Sequence, residues 1–217
     1  MSPRTGLAAA TAEVARADPA IARIIERAGP IQLPKPRQPD PFLALAEAIV
    51  YQQLAGRAAA AIWGRVVSQF PDGMTPEAVV ATEEAALRGA GLSLRKAQSI
   101  KDLAARAADG TIPLDRLRRM TDEEIARRLT VVKGVGQWTA EMFLIFELRR
   151  LDVWPVLDFG VRKGWAIAHD LADLPAPKSL DAEGERFRPY RTVAAWYCWR
   201  AVSLARASEM VLPALPS

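Results

Sequence analysis

The sequence has 217 residues, half of them hydrophobic, with a formal net charge of +4, and it is long enough for one or two lobes with a proper core. Its single cysteine, Cys198, and single histidine, His169, exclude a disulfide framework, a Cys/His zinc site and an iron–sulfur cluster. The N-terminus lacks a signal-peptide pattern, and no apolar run approaches the ~20 residues of a membrane span. We therefore expect a soluble, cytoplasmic protein that does not bind membranes.

The N-terminal part of the chain is predicted to be a helical segment followed by a linker. Asp18 and Pro19 begin a short amphipathic helix, since an Asp cap followed by proline is typical of a helix start. Residues 29–37 contain three prolines and are predicted to be extended. We therefore divide the chain into residues 1–39 and a larger domain at residues 40–217.

Several helices are predicted in the first half of the larger domain. Asp40 and Pro41 begin one helix, and further helices are expected at residues 56–70 and 75–89 and from about residue 92 to 110. Gln52 and Gln53 follow the first of these helices. Without further information, these two residues are predicted simply to end the helix that begins at Asp40 and Pro41.

A glycine-bearing turn, Lys133-Gly134-Val135-Gly136, separates two further predicted helices. Thr121 with Glu124 three residues later is a capping box for the first helix, and the second begins at about Gly136. Such a hairpin is expected to expose backbone N–H groups beside a positive helix end, which favours an anion such as a DNA phosphate. The alternative is an ordinary turn between two helices that is closed with glycines.

The last third of the chain is also predicted to be helical. Asp158 follows Pro155 and is expected to cap a helix at residues 158–170, and a long helix contains residues 190–200. The sequence has no alternating run long enough for a sheet. We therefore predict an all-α fold with two helical lobes and a central cleft.

Two motifs carry a resemblance to a known family. GVGQWTA at residues 134–140 resembles the helix-hairpin-helix element of the HhH-GPD superfamily of DNA glycosylases, and WPVLD at residues 154–158 matches the loop that ends in its Asp. PYRTVAAWYCWRA at residues 189–201 is similar to the closing helix of alkylation-repair members. The resemblance covers roughly residues 40–205, and it implies discontinuous lobes with residues 1–39 packed on the C-terminal helices.

The resemblance implies roles for individual residues. Asp158 would be the catalytic carboxylate, and Trp138 occupies the position of the lysine that forms a Schiff base in bifunctional members. Gln53 would plug the gap left by a flipped base, with Leu54 as a wedge beside it. The DNA-binding hairpin would consist of Lys133, Gly134, Val135, Gly136 and Thr139.

Aromatic side chains are candidates for the base pocket, because electron-rich rings hold a cationic alkylated purine well. Trp138 is the first candidate, and Tyr51, Phe187 and Tyr190 are the others; the alternative is that these rings belong to the core. Met142 stands where some relatives have an aromatic residue. No side chain is expected to bind a metal, although relatives suggest a structural Na⁺ or K⁺ at hairpin carbonyls and no other cofactor.

The resemblance thus implies a monofunctional DNA-3-methyladenine glycosylase. Such an enzyme flips an alkylated purine out of double-stranded DNA and hydrolyses its glycosidic bond, which leaves an abasic site for base excision repair. The alternatives are a glycosylase for deaminated or oxidised bases, or a non-catalytic DNA-binding module. We also expect a monomer associated with a bacterial-type nucleoid.

Overall fold

The computed structural model describes residues 3–211, and these residues contain helices and connecting turns but no strand. The prediction of an all-α fold is therefore confirmed. No helix in this part of the chain combines the length and the apolar character that a bilayer span requires. The α-helices are α1 (Pro3–Ala17), α2 (Pro19–Ala28), α3 (Pro41–Tyr51), α4 (Gly56–Val67), α5 (Pro76–Ala81), α6 (Glu84–Gly89), α7 (Leu94–Ala108), α8 (Asp122–Leu129), α9 (Gln137–Phe146), α10 (Phe159–Ala168), α11 (Pro177–Gly184) and α12 (Arg191–Val211).

The chain forms two compact units. Of the described residues, unit 1 contains residues 3–34 and 150–211, and unit 2 contains Lys35–Arg149. Unit 1 is therefore built from both ends of the chain, and unit 2 is one continuous segment. The candidate residues are divided between the units, with the hairpin in unit 2 and Asp158 in unit 1.

Helix α12 lies at the centre of unit 1. It packs against α10, α2 and α1, and its residues Val193, Ala194 and Tyr197 are fully buried. The ring of Trp154 packs near the rings of Trp165 and Phe187 in the same core. This apolar core fixes the start of α10, where Asp158 lies.

Helix α7 lies at the centre of unit 2. It packs against α5, α3 and α6, and it buries Ile100 and Leu103 completely. Helices α8 and α9 form the predicted hairpin, and the predicted capping box between Thr121 and Glu124 is present. The hairpin is thus attached to a well-packed support.

One predicted helix of unit 2 is interrupted. We expected a single helix at residues 75–89, but Thr82 has extended backbone angles and separates α5 from α6. The Lys101 side chain donates hydrogen bonds to the carbonyls of Val79, Val80 and Thr82 at this break. The ammonium group is thus bound at the C-terminal end of α5, where carbonyls lack partners within the helix and a cation interacts favourably with the helix dipole.

Candidate active site

The hairpin between α8 and α9 uses its two glycines in different ways. Gly134 has a φ of 77°, and a Cβ at this position would lie 2.6 Å from Ser99 Oγ, so glycine is required. Gly136 caps α9 with a φ of −95°, which any residue can adopt, and a Cβ there would meet no atom within 4 Å. Gly136 therefore leaves open space in front of the helix end.

The hairpin exposes fewer backbone donors than the sequence suggested. The Lys133 amide donates to Asp102 Oδ2 at 2.8 Å, and the Val135 amide donates to the Val132 carbonyl at 3.0 Å. Among the described residues, no acceptor is found for the amides of Gly134 and Gly136. These two glycine amides, together with the amides of the first turn of α9, form a group of donors at the positive end of this helix that an anion can contact.

Asp102 holds the hairpin from α7. Its Oδ2 also accepts a hydrogen bond from Arg106 Nε at 3.0 Å. Burial alone would raise the pKa of the Asp102 carboxyl, but the Lys133 amide and the Arg106 guanidinium outweigh that effect and lower the pKa below its usual value. The carboxylate is therefore ionised at neutral pH and anchors the turn.

The other predicted hairpin residues differ in exposure. Lys133 is exposed, as a phosphate contact requires, whereas Val135 is buried. Thr139 is also buried, and its Oγ1 accepts a hydrogen bond from Gln52 Nε2 at 3.3 Å. Thr139 therefore contacts the turn after α3 through its hydroxyl.

A pocket of about 610 Å³ in unit 2 brings together many of the predicted residues. This volume is within the usual range for a small-molecule site. Trp138, with 43% of its surface exposed, lies beside the pocket. The pocket is lined by Ala48, Tyr51, Gln52, Gln53, Ser93, Arg95, Lys96, Ser99, Gly134, Trp138, Thr139 and Met142.

Tyr51 is already in contact with a cation. The guanidinium carbon of Arg37 lies 5.2 Å from the centre of the Tyr51 ring. A ring that is partly covered by an arginine is less available for stacking with a cationic base. Tyr51 is therefore the weaker stacking candidate, and Trp138, which is 43% exposed, is the other aromatic residue in this pocket.

The turn after α3 places Gln53 and Leu54 at the surface of unit 2. Gln53 is exposed and has a φ of 56°, and Leu54 is 38% exposed. Lys96 Nζ donates to the carbonyls of Val50 and Gln52, each at 2.7 Å. No local pattern indicates this contact, because Lys96 is more than 40 residues away and resembles any surface lysine.

Asp158 lies at the start of α10 in unit 1, as predicted. Its Oδ1 accepts hydrogen bonds from the Val161 amide and from Trp199 Nε1, both at 2.8 Å. A Cβ on Gly160 would lie 2.7 Å from the Trp199 ring, so glycine allows the indole to reach the carboxylate. Trp199 was missed by the sequence interpretation, since no local pattern connects it with α10.

The remaining aromatic candidates belong to unit 1. Phe187 is 2% exposed, and its ring centre lies 5.9 Å from that of Trp154 and 6.0 Å from that of Trp165. It is a core residue, as the alternative interpretation proposed. Tyr190 is partly buried and precedes α12. It is not among the residues that line the pocket around Trp138.

The hairpin carbonyls are the candidate ligands for a monovalent cation. Residues 3–211 contain no group of three or more His, Cys, Asp or Glu side chains that could hold a metal ion. Hairpin carbonyls are neutral oxygen ligands of the kind that hard cations accept. The Val132 carbonyl accepts the Val135 amide and the Gly134 carbonyl accepts Gln52 Nε2, but each oxygen has a second lone pair. Each oxygen can therefore still accept a ligand, and a structural Na⁺ or K⁺ at the hairpin carbonyls stays a prediction.

Comparison with known proteins agrees with this arrangement. Residues 46–189 match the family model for the HhH-GPD superfamily of base excision DNA repair proteins. The chain belongs to this superfamily. The match includes the hairpin, the pocket residues around Trp138, and Asp158.

Individual members of the HhH-GPD superfamily are similar over most of their length. DNA-3-methyladenine glycosylase 1 of Schizosaccharomyces pombe is 38% identical over 180 residues, which cover 80% of this chain and 78% of that protein. A solved structure of the 3-methyladenine DNA glycosylase of the same yeast, in complex with abasic DNA, matches with a TM-score of 0.79 and 34% identity. That match covers 90% of this chain and 97% of the yeast chain. The crystal structure of DNA-3-methyladenine glycosidase from Bacillus halodurans matches with a TM-score of 0.80, 36% identity and coverage of 94% and 92%.

Proposed function

We propose that this protein is a monofunctional DNA-3-methyladenine glycosylase, which removes alkylated purines from double-stranded DNA and leaves an abasic site. Its membership of the HhH-GPD superfamily and its similarity to two proteins named for this activity support the proposal. The observation that carries it is the Asp158 carboxylate, which two hydrogen bonds and a helix N-terminus hold in one orientation. A monomeric, cytoplasmic protein associated with the nucleoid remains a prediction.

A fixed carboxylate suits the cleavage of an N-glycosidic bond. As the bond between C1′ and the base nitrogen breaks, positive charge develops on the sugar, and a nearby anion stabilises this charge. The bonding electrons leave with the base, and water then adds its oxygen to C1′ and releases a proton to the solvent. A purine methylated on its ring is a good leaving group, so it needs little help from a general acid.

The pocket beside Trp138 provides a place for the extruded base. An indole face attracts a cationic purine, and Met142 adds a polarisable apolar surface to the same pocket. Trp138 also occupies the position at which bifunctional members have a lysine. Base release without strand cleavage follows from that replacement.

The hairpin and the turn after α3 provide contacts with DNA. The Gly134 and Gly136 amides would bind a backbone phosphate, with the exposed Lys133 nearby, and such a contact is independent of DNA sequence. Gln53 and Leu54 are exposed and would fill the space that the flipped nucleotide leaves. Phosphate binding is thus assigned to the hairpin and nucleotide flipping to the turn after α3, and both lie in unit 2.

Base release provides the test of this function. The purified protein would be incubated with DNA treated with a methylating agent, and separately with duplexes that contain hypoxanthine or 8-oxoguanine, and the released bases would be separated by chromatography. We expect methylated purines to be released. Release of hypoxanthine or 8-oxoguanine alone would indicate the alternative glycosylase, and DNA binding without release of any base would indicate a non-catalytic module.

A further inference from the structure

The turn after α3 holds Gln53 in a backbone conformation that few residues other than glycine adopt. Its φ of 56° lies in the left-handed region. Such a conformation persists only when the surrounding structure maintains it. The groups that hold this turn therefore control where the exposed side chains of Gln53 and Leu54 point.

Lys96 on α7 holds the turn from one side. Its ammonium group donates to the carbonyls of Val50 and Gln52, which lie at the C-terminal end of α3. The last carbonyls of a helix lack partners within the helix, and a cation interacts favourably with this end. Burial lowers the pKa of Lys96, so the ammonium loses solvation here, and the two hydrogen bonds offset that loss.

Gln52 connects the same turn to the hairpin. Its Nε2 donates to the Gly134 carbonyl at 3.1 Å and to Thr139 Oγ1 at 3.3 Å. Gly134 lies in the hairpin, and Thr139 lies in the first turn of α9. The Gln52 carbonyl is thus bound to α7, while its side chain is bound to the hairpin.

We infer that Lys96 and Gln52 are positioning residues for nucleotide flipping. They fix the turn that carries Gln53 and Leu54 in the conformation that enters DNA, and Gln52 connects this turn to the phosphate-binding hairpin. The inference rests on the proposed function. A turn that is ordered before binding loses little conformational entropy when it inserts, whereas a loose turn must be ordered on the DNA.

This role is specific to a duplex with a gap in its base stack. A phosphate contact is equally available in undamaged DNA, but an inserted side chain is useful only where a base is missing or flipped. The ratio of the affinity for a duplex with a stable abasic analogue to the affinity for the matched undamaged duplex therefore measures insertion. Both affinities must be measured at the same salt concentration.

The main variant is Lys96→Met, which keeps most of the side-chain length and removes the donors. We expect its affinity ratio to fall by about tenfold, and its affinity for the undamaged duplex to stay within about twofold of the wild type. Gln52→Met removes only the connection to the hairpin and should lower the ratio in the same direction. It also keeps the inference testable if Lys96→Met does not fold.

Two further measurements distinguish positioning from general stability. If Lys96 acts through the turn, Lys96→Met should lower the ratio very little in a Gln53→Ala, Leu54→Ala background, because the inserted groups are already absent. The matched control is Lys101→Met on the same helix. Lys101 also binds helix-end carbonyls, but these belong to α5 and not to the turn after α3. Its loss should lower the melting temperature and leave the ratio unchanged.

The outcomes separate this inference from the proposed function. A folded Lys96→Met protein with a wild-type ratio, an equal loss in the Gln53→Ala, Leu54→Ala background, or an equal loss in Lys101→Met would overturn the positioning role. Each of these results leaves base release by the wild type intact. A wild type that neither prefers the abasic duplex nor releases a base would overturn the proposed function, and the inference would fall with it.

Discussion

Trp199 Nε1 donates a hydrogen bond to Asp158 Oδ1 at 2.8 Å, across 41 residues of sequence. The Val161 amide donates to the same oxygen at the same distance. Two donors on one oxygen prevent the carboxylate from rotating, and the absence of a side chain on Gly160 leaves room for the indole. Asp158 is therefore a charge in a fixed position, which is the property that stabilisation of a cationic transition state requires.

Asp158→Asn should abolish most of the base release. An asparagine can still cap α10, so the variant removes the charge and keeps the cap. We expect the single-turnover rate to fall about a hundredfold or more, or ~3 kcal/mol in activation free energy, with duplex affinity largely retained. Asp40→Asn is the matched control, because Asp40 caps α3 in the same way but lies in unit 2. A near-wild-type rate for Asp158→Asn would remove this residue from the mechanism.

Trp199→Phe should slow base release by about tenfold, because it removes the indole donor to Asp158 and keeps an aromatic ring. Affinity for the abasic duplex should not change, so the effect should appear in the single-turnover rate alone. Trp196→Phe is the control, since the Trp196 ring contacts Tyr197 and Arg200 on the same helix. Equal losses in the two variants would show that any tryptophan of α12 matters only for packing.

Borohydride should trap no covalent complex between the wild-type protein and DNA, and strands should break only after alkali. Trp138 stands in place of the amine nucleophile. Burial lowers the pKa of the pocket lysine, Lys96, but its ammonium group donates to two carbonyls, and these hydrogen bonds favour the protonated form, which is not nucleophilic. Trp138→Lys need not create lyase activity, because a lysine without a lowered pKa is a poor nucleophile. A trapped complex with the wild type would contradict the monofunctional assignment.

Gly136→Arg should weaken binding to damaged and undamaged duplexes alike, although it adds a positive charge. The side chain would occupy the open space in front of α9 and block the approach of a phosphate to the backbone amides. The backbone angle at Gly136 is an ordinary one, so circular dichroism should show the helices retained. Gly64→Arg in α4 is the control, because a Cβ there also meets no atom within 4 Å. If Gly136→Arg binds as tightly as Gly64→Arg, the hairpin is not the anchor.

Asp102→Asn should destabilise the protein in a pH-dependent way. The folded protein lowers the pKa of Asp102, so its contribution to stability is fully present above the unfolded value of about 3.9 and is lost as pH falls through the folded value. The difference in free energy of unfolding between wild type and variant should therefore shrink below about pH 3.9. Urea unfolding over a pH series measures this difference. Asp115→Asn removes an exposed carboxylate from unit 2 and controls for net charge; a difference independent of pH would contradict the role of Asp102.

Local patterns in the sequence were sufficient for most helix starts. The caps at Asp18, Asp40, Thr121 and Asp158 all have the predicted role, because a cap joins residues only two or three positions apart. The same reasoning failed at Thr82, where a lysine 19 residues away contacts the end of α5. Capping residues that are close in sequence therefore mark where these helices begin. At the end of α5, the contact is made by the side chain of a lysine that is distant in sequence.

The sequence by itself determined the fold class, the hairpin and the position of Asp158, since spacing of three and four residues and turn glycines are properties of neighbouring residues. Only the tertiary structure decided which groups hold them. Asp102 reaches the hairpin across 31 residues, Trp199 reaches Asp158 across 41, and Gln52 reaches Gly134 across 82. Each of these hydrogen bonds needs a donor atom and an acceptor atom about 3 Å apart. These atoms belong to segments that pack together only in the folded chain, and nothing in the local sequence encodes their distance.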